Sequence, residues 1–134
     1  MAATTQDRNT PFKDGELIVA PVAAGVKILA GTIVAANAAG FAAPGATSAT
    51  LAYLGMADAN VDNAAGADGA VGVPVRRGKA FKWLNDSVDP VTQASLGRPC
   101  FIVDNQTVAK TNGTNTRSQA GIVVGLEADG VWVI

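Results

Sequence analysis

The sequence predicts an all-β fold, a compact antiparallel β-barrel or sandwich with one short helix and an extended N-terminal arm. From Glu16 onwards, short apolar runs alternate with turns rich in glycine, proline and asparagine, which is typical of sandwiches and barrels. Apolar residues make up 49% of the 134 residues, but aromatic residues only 5%, so alanine and aliphatic side chains dominate. Small and β-branched side chains favour thin, tightly packed sheets over a roomy ligand cavity.

Residues 1–15 precede the first apolar run and are predicted to be a flexible N-terminal arm, with residues 16–134 forming a single β-rich domain. Ordering such a polar segment costs roughly 1–2 kcal/mol per residue. We therefore expect it to be mobile in the free protein and ordered only against a partner or, alternatively, against a neighbouring subunit. Its predicted anchoring contacts surround the one large side chain able to fill a pocket, and they are Thr10, Pro11, Phe12 and Lys13.

The first part of the domain is predicted to contain short strands joined by tight turns. Residues 37–40 form a turn signal between two of these strands, which predicts a hairpin. Pro74 cannot donate a hydrogen bond to a neighbouring strand, so its strand is predicted to lie at an edge or to carry a bulge. In residues 79–84 neither alternating face is cleanly apolar, which suggests a subunit boundary. The predicted strands cover residues 17–19, 26–29, 32–35, 41–44, 50–56, 71–75 and 79–84.

One helix signal is present at residues 89–97. Asp89 can cap the helix, a proline suits its first position and Gly97 suits its end, which allows about two turns at most. The apolar run that follows, residues 99–103, is predicted to be a strand. We expect it to bury Cys100 as a small hydrophobic side chain, because this single cysteine has no internal disulfide partner.

The C-terminal hairpin is the clearest predicted element. Strands over residues 122–128 and 131–134 flank Asp129-Gly130, a strong signal for a two-residue turn. In that register one face is predicted to be core, and it carries Ile122, Val124, Leu126, Val131 and Val133. The other face leaves too much apolar area for a lone small domain to expose, so it is a predicted oligomer interface. The predicted interface residues are Val123, Trp132 and Ile134.

The composition argues against several classes of function. The chain has 10 basic and 11 acidic residues and no basic run, which argues against nucleic-acid binding. It has no histidine, so the usual general base and the commonest metal ligand are missing. We therefore predict no catalytic residue, metal or cofactor. The apolar segment 17–36 is interrupted by Pro21, Gly25 and Gly31, which argues against a membrane-spanning helix, and the first residues lack a signal-peptide pattern.

Residues 58–69 resemble the start of a calcium-binding loop, with side-chain oxygens at alternate positions from Asp58 to Asp62. The match then fails. Asn63 stands where the glycine of the sharp turn is required, and Gly69 stands where a bidentate glutamate is required. We therefore predict a loop rich in aspartate, asparagine and glycine that connects strands without a metal.

Several segments, which cover most of the chain from Pro21 onward, are rich in residues that shape the backbone rather than in reactive groups. The segments are residues 21–28, 30–34, 61–69, 75–78, 103–110, 116–121 and 130–133. Together they resemble the cement proteins encoded in the head-gene clusters of Mu-like transposable phages and prophages. More distantly, a small β domain behind a polar arm is similar to the lambda-type head decoration proteins.

The resemblance implies a capsid decoration protein, made in the bacterial host cytoplasm and carried on the outer surface of the virion. Such proteins assemble as compact oligomers, typically trimers, at local threefold positions, where they clamp neighbouring major capsid proteins. The arm would add a strand to an exposed capsid edge. The alternatives are a surface- or carbohydrate-binding β module of a tail fibre or adhesin, and a small hydrolase, against which the missing histidine argues.

Overall fold

The computed structural model describes residues 2–134. Their secondary structure is all β apart from a single 3-10 turn at Gln93–Ser95, which confirms the predicted all-β class. The strands are short and follow one another closely. In chain order they are β1 (Leu17–Pro21), β2 (Lys27–Ile28), β3 (Ile33–Ala36), β4 (Ala42–Pro44), β5 (Ala52–Ala57), β6 (Val61–Asp62), β7 (Gly72–Arg76), β8 (Phe81–Asn85), β9 (Pro99–Ile102), β10 (Thr107–Ala109), β11 (Gln119–Glu127) and β12 (Gly130–Val133).

One half of the domain is a five-stranded antiparallel sheet in the order β1-β7-β5-β3-β4. Directly after β1, Val22 forms a parallel bridge with Ala42 of β4, so the two ends of the sheet approach each other. The short β2–β6 pair packs against this curled sheet through Ile28 and Val61. The buried side chains of this first core are Ala20, Val22, Ile28, Val34, Ala42, Ala57, Val73 and Val75.

The other half is a closed five-stranded barrel in the order β10-β8-β12-β11-β9. Its neighbours pair antiparallel except for β10 and β8, which are parallel. Ile33 and Ala35 of the first sheet join the barrel core, while Val34 between them belongs to the first core. Strand β3 is therefore buried on both faces and is common to both halves. The barrel residues of this second core are Trp83, Val91, Cys100, Ile102, Val108, Ala120, Val123, Val131 and Val133.

Two polar contacts connect the halves besides the shared strand. The indole Nε1 of Trp83 on β8 donates to the hydroxyl of Tyr53 on β5 over 3.1 Å. The hydroxyl of Ser118 accepts from the Leu51 amide at 2.9 Å and donates to the Ser48 carbonyl at 2.6 Å. Ser118 is only 5% exposed, so these bonds connect the segment just before β5 to the barrel at a site shielded from water.

The predicted hairpin at the C terminus forms, but its register was wrong. Glu127 pairs with Gly130, which leaves Ala128 and Asp129 as the turn residues instead of the predicted Asp129-Gly130. Gly130 has no positive φ; it is needed because a Cβ there would lie 2.6 Å from Cγ of Lys82 on β8. Gly130 is therefore required for the close packing of β12 on β8, whereas the sequence predicted that it is required for the turn.

A bulge in β11 changes which residues of this hairpin are buried. The register shifts between Val123 and Gly125, so Val124 is unpaired and 47% exposed, although it was predicted to be core. Val123, predicted to lie on the interface face, is 1% exposed and belongs to the barrel core. An extra residue in one strand moves every side chain beyond it to the opposite face, which period-two reasoning cannot anticipate.

The helix predicted within residues 89–97, of about two turns at most, is a single 3-10 turn. The side chain of Asn85 accepts from the Val91 amide at 2.8 Å and donates to the Val91 carbonyl at 2.9 Å, and these bonds hold Val91 in a non-helical segment. Only the turn Gln93–Ser95 remains, and Gly97 follows it with φ of 79°. Asp89 does not cap this turn, because its carboxylate binds side chains elsewhere.

The strand with Pro74 was predicted to lie at an edge or to carry a bulge, and the structure shows neither. Strand β7 lies between β1 and β5 without a register shift, but its pairing with β5 stops at Val75 and Ala57. The carbonyl of Pro74 accepts from the Asp58 amide just beyond the end of β5, at 2.8 Å. The missing proline N–H therefore falls where the neighbouring strand has ended, and no ladder bond is lost.

Gly55 provides a test of this packing. Its φ of +144° is rarely adopted by other residues, and a Cβ there would overlap the carbonyl oxygen of Arg76 on β7. We predict that Gly55→Ala lowers the free energy of unfolding by about 3 kcal/mol, measured by denaturant titration. The matched control is Gly15→Ala, where a Cβ has nothing within 4 Å and stability should be unchanged. Equal stability of the two variants would contradict the described packing.

Candidate functional site

The N-terminal arm lies outside the domain. Residues 2–17 are solvent-exposed, and Phe12 is 99% exposed. The described side-chain hydrogen bonds of residues 2–13 stay within the arm, such as that from the Arg8 guanidinium to the Thr10 hydroxyl at 2.8 Å. The predicted anchoring residues are therefore all in a stretch that its own domain leaves uncovered. Whether a partner covers them stays a prediction.

Glu16 marks the point at which the arm joins the domain. Its carbonyl accepts from the Arg77 amide at 2.8 Å, and its carboxylate lies 3.7 Å from the ammonium of Lys79. Both Lys79 and Glu16 are more than half exposed, so this ion pair contributes little to stability. The backbone bond is what sets the direction in which the arm leaves, beside the turn between β7 and β8.

Within residues 2–134, β1 is an outer strand of its sheet, and its edge away from β7 pairs with no other strand. The Val22 amide donates to the Val71 carbonyl, and the Glu16 carbonyl accepts from the Arg77 amide. The even-numbered residues of this segment therefore direct their backbone N–H and carbonyl groups toward β7. Leu17 and Val19 therefore direct their N–H and carbonyl groups away from β7, and the side chain of Val19 is 73% exposed. Pro21 has no N–H, which limits how far another strand could extend along this edge.

Of the predicted interface residues, two lie on the surface. Ile134 is 55% exposed and Trp132 is half-buried, whereas Val123 is in the barrel core and cannot contact another subunit through its side chain. The Trp132 ring lies against Gly125, where a Cβ would come within 3.2 Å of the indole. The structure therefore places Trp132 and Ile134 on the surface of the same hairpin but excludes Val123 from it.

Lys82 covers part of the Trp132 ring and is held by two carboxylates. Its ammonium lies 5.8 Å from the ring centroid, 2.8 Å from Asp129 and 3.4 Å from Glu127. The hydrogen bond to Asp129 raises the pKa of Lys82, and the same bond lowers the pKa of Asp129. These groups are at the surface, so the cluster orients the lysine over the indole rather than stabilising the fold substantially.

The segment at residues 58–69, predicted to be a loop, contains the short strand β6 and uses its polar groups to shape its own backbone. The Asn63 side-chain amide, which is 3% exposed, donates to two backbone carbonyls at 2.9 Å each. The carboxylate of Asp68 accepts from the Ala24 amide at 2.7 Å. Among residues 2–134 no group of three or more histidine, cysteine, aspartate or glutamate side chains is placed to hold a metal ion.

Two buried groups with reactive atoms are both held in their protonated forms. Burial raises the pKa of the Cys100 thiol to about 11, and its sulfur donates weakly to the Gly121 carbonyl over 3.6 Å. Burial likewise raises the pKa of the Tyr53 hydroxyl to about 12. Neither group is ionised near neutral pH, so this arrangement activates neither as a nucleophile or base.

Asp89 lies at the centre of the most extensive side-chain cluster. Its Oδ2 accepts from the hydroxyl and amide of Thr111, the latter at 3.0 Å, and from the Arg117 guanidinium at 2.9 Å. The Thr111 hydroxyl and then the other donors lower the pKa of Asp89. The carboxylate therefore fastens the loop after β10 to the segment after β8, a structural role.

Among residues 2–134 no helix is both long and apolar enough to span a membrane. Comparisons with protein-family models, with curated proteins and with solved structures found no match. The function of the chain is therefore inferred from its own residues and surfaces.

The Asp89 cluster predicts a dependence of stability on pH. Because the folded pKa of Asp89 is lowered from 3.8, ionised Asp89 stabilises the fold above that pH. This contribution is lost as the pH falls through the lower folded pKa. We predict that Asp89→Asn lowers the free energy of unfolding by about 1 kcal/mol at neutral pH, and that the difference shrinks below about pH 4. Asp7→Asn, in the exposed arm, is the control; equal pH curves for both variants would refute the role of Asp89.

Proposed function

We propose that the chain is a capsid decoration, or cement, protein that binds the outer surface of a tailed-phage head and stabilises the shell. The observation that carries the proposal is the arm: a polar segment with a fully exposed Phe12, in which the described side-chain bonds of residues 2–13 stay within the arm. A small rigid domain with a free arm suits a protein that binds an assembled lattice. The sequence resemblance to phage cement proteins supports the same proposal.

The proposed partner is the major capsid protein, and the mechanism is mass action. A protein that binds the expanded shell but not its dissociated subunits shifts the equilibrium toward the shell. Each contact can be weak, because copies linked in an oligomer bind neighbouring capsid subunits together. In this proposal the chain has no catalytic activity and needs no cofactor or nucleic acid. It would be made in the host cytoplasm and act on the outside of the virion.

The arm is proposed to supply affinity by lying against an exposed edge of the capsid. Its extended backbone can add a strand, with Thr10, Pro11 and Lys13 flanking the site at which Phe12 enters a pocket. Burying a phenylalanine side chain contributes about 1.5–3 kcal/mol, which corresponds to roughly 10- to 100-fold in affinity. The domain would then set how far the arm extends and at what angle.

The alternative of a carbohydrate-binding module has less support from the described residues. Such modules bind sugars on exposed aromatic rings, but Trp83 is only 4% exposed. Tyr53 packs against the barrel core and accepts a hydrogen bond from Trp83. Trp132 is partly covered by Lys82. Binding to a glycan array, without binding to heads, would favour this alternative.

The arm is tested by two variants of the full protein and one control. A deletion of residues 2–14 should leave the melting temperature and the oligomer unchanged but abolish co-sedimentation with expanded heads of the encoding phage. Phe12→Ser should weaken head binding roughly 10- to 100-fold. Val88→Ser, which changes a similarly exposed residue (87%), is the matched control and should bind normally. Unchanged binding after the deletion would show that the arm does not anchor, and a dissociated oligomer would mean that it packs on a neighbour.

The proposed trimer is tested by light scattering at micromolar concentration. We expect a trimer whose interface includes Trp132 and Ile134, because both are apolar and on the surface of one hairpin. Ile134→Glu should therefore produce monomers, whereas Val88→Glu should not. A wild-type protein that is monomeric at this concentration would refute the oligomer.

A further inference from the structure

A surface cleft of about 480 Å³ lies at one end of the barrel, and nothing described so far uses it. It lies where β9 begins and β10 ends, because these strands pair antiparallel with Ala109 opposite Phe101. This pairing brings Arg98, just before β9, and Lys110, just after β10, to the same end of the barrel. The remaining side chains that line the cleft are mostly small or apolar, and they include Ala94, Pro99, Phe101 and Thr111.

Both cations of the cleft lack an acidic partner. The ion pairs among residues 2–134 engage Arg76, Lys79, Lys82 and Arg117, but neither Arg98 nor Lys110. No carboxylate lines the cleft. Asp89, which accepts a hydrogen bond from the cleft residue Thr111, already forms an ion pair with Arg117. In a chain with a net charge of -1, this is a locally positive cleft.

The shape of the cleft distinguishes between kinds of occupant. Small-molecule sites enclose most of their ligand, but Ala94, Arg98, Pro99 and Lys110 are all exposed here. An open cleft with an aromatic side chain and two free cations is complementary to an extended segment that carries an apolar side chain next to carboxylates. Both cations have long, flexible side chains that can follow such a segment.

We propose that the cleft formed by Ala94, Arg98, Pro99, Phe101, Lys110 and Thr111 binds an acidic, extended segment of a partner protein. The partner's carboxylates would pair with Arg98 and Lys110, and its apolar side chain would pack on Phe101. That this partner is the capsid protein rests on the proposed function; the acidic specificity of the cleft does not. The cleft would then be a second contact, separate from the arm.

The test uses the full-length protein labelled with ¹⁵N and two synthetic probes. One probe is the peptide acetyl-Asp-Leu-Glu-Phe-Asp-amide, and the other is its neutral counterpart with Asn and Gln in place of Asp and Glu. NMR titration should move the amide signals of Phe101, Lys110 and Thr111 with the acidic probe only. The double variant Arg98→Glu/Lys110→Glu should weaken this binding by roughly tenfold or more. Lys27→Glu, an exposed lysine on β2 outside the cleft, should leave it unchanged.

Co-sedimentation of the same variants with expanded heads separates the two proposals. If the acidic peptide binds in the cleft but neither the wild-type protein nor any variant binds heads, the proposed function fails and the cleft inference holds. Equal responses to the two peptides, or an equal loss of binding in Lys27→Glu, would overturn the cleft inference. The cleft inference would also be overturned if millimolar acidic peptide moved no amide signals, whatever the result with heads. The double variant is folded if its amide signals away from the cleft match those of the wild-type protein.

Discussion

The fold depends on the burial of one short strand, β3, on both of its faces. Ile33 and Ala35 pack into the barrel while Val34 packs into the curled sheet, and all three have no exposed surface. Two small cores that would each be marginal alone are thereby joined through one backbone. A polar or bulkier side chain at any of these positions would disturb both halves together, so the domain should unfold as one unit.

The cores are made of small side chains, and several loops are held in place by hydrogen bonds from polar side chains. Asn63 and Asn85 each hold a loop through bonds to its backbone, and Ser118 does the same between the two halves. These side chains bond to the protein's own backbone. What is left for contact with other molecules is therefore the periphery: the arm, the free edge of β1, the C-terminal hairpin and the cleft beside Arg98.

Sequence reasoning succeeded where the signal was local and failed where pairing between distant strands decided the outcome. The hairpin turn at residues 37–40 and the burial of Cys100 depend on neighbouring residues, and both are confirmed. The burial of Val123 depends on a bulge, which no local pattern marks. That residues 2–15 are exposed agrees with their polar composition, while their mobility stays a prediction. The cleft could not be recognised from the sequence, because Arg98 and Lys110 are distant in sequence and meet only through the pairing of β9 with β10.

The single cysteine has a practical consequence. Cys100 has no exposed surface, and its thiol lies inside a closed ring of strands. A thiol-specific reagent can reach Cys100 only when the barrel opens, so the rate at which Cys100 is labelled measures how often the barrel opens. In the free chain this labelling rate would report the domain's own fluctuations. Any bound partner that restrains the barrel would slow the labelling, so the native chain would report such binding without a fluorescent tag.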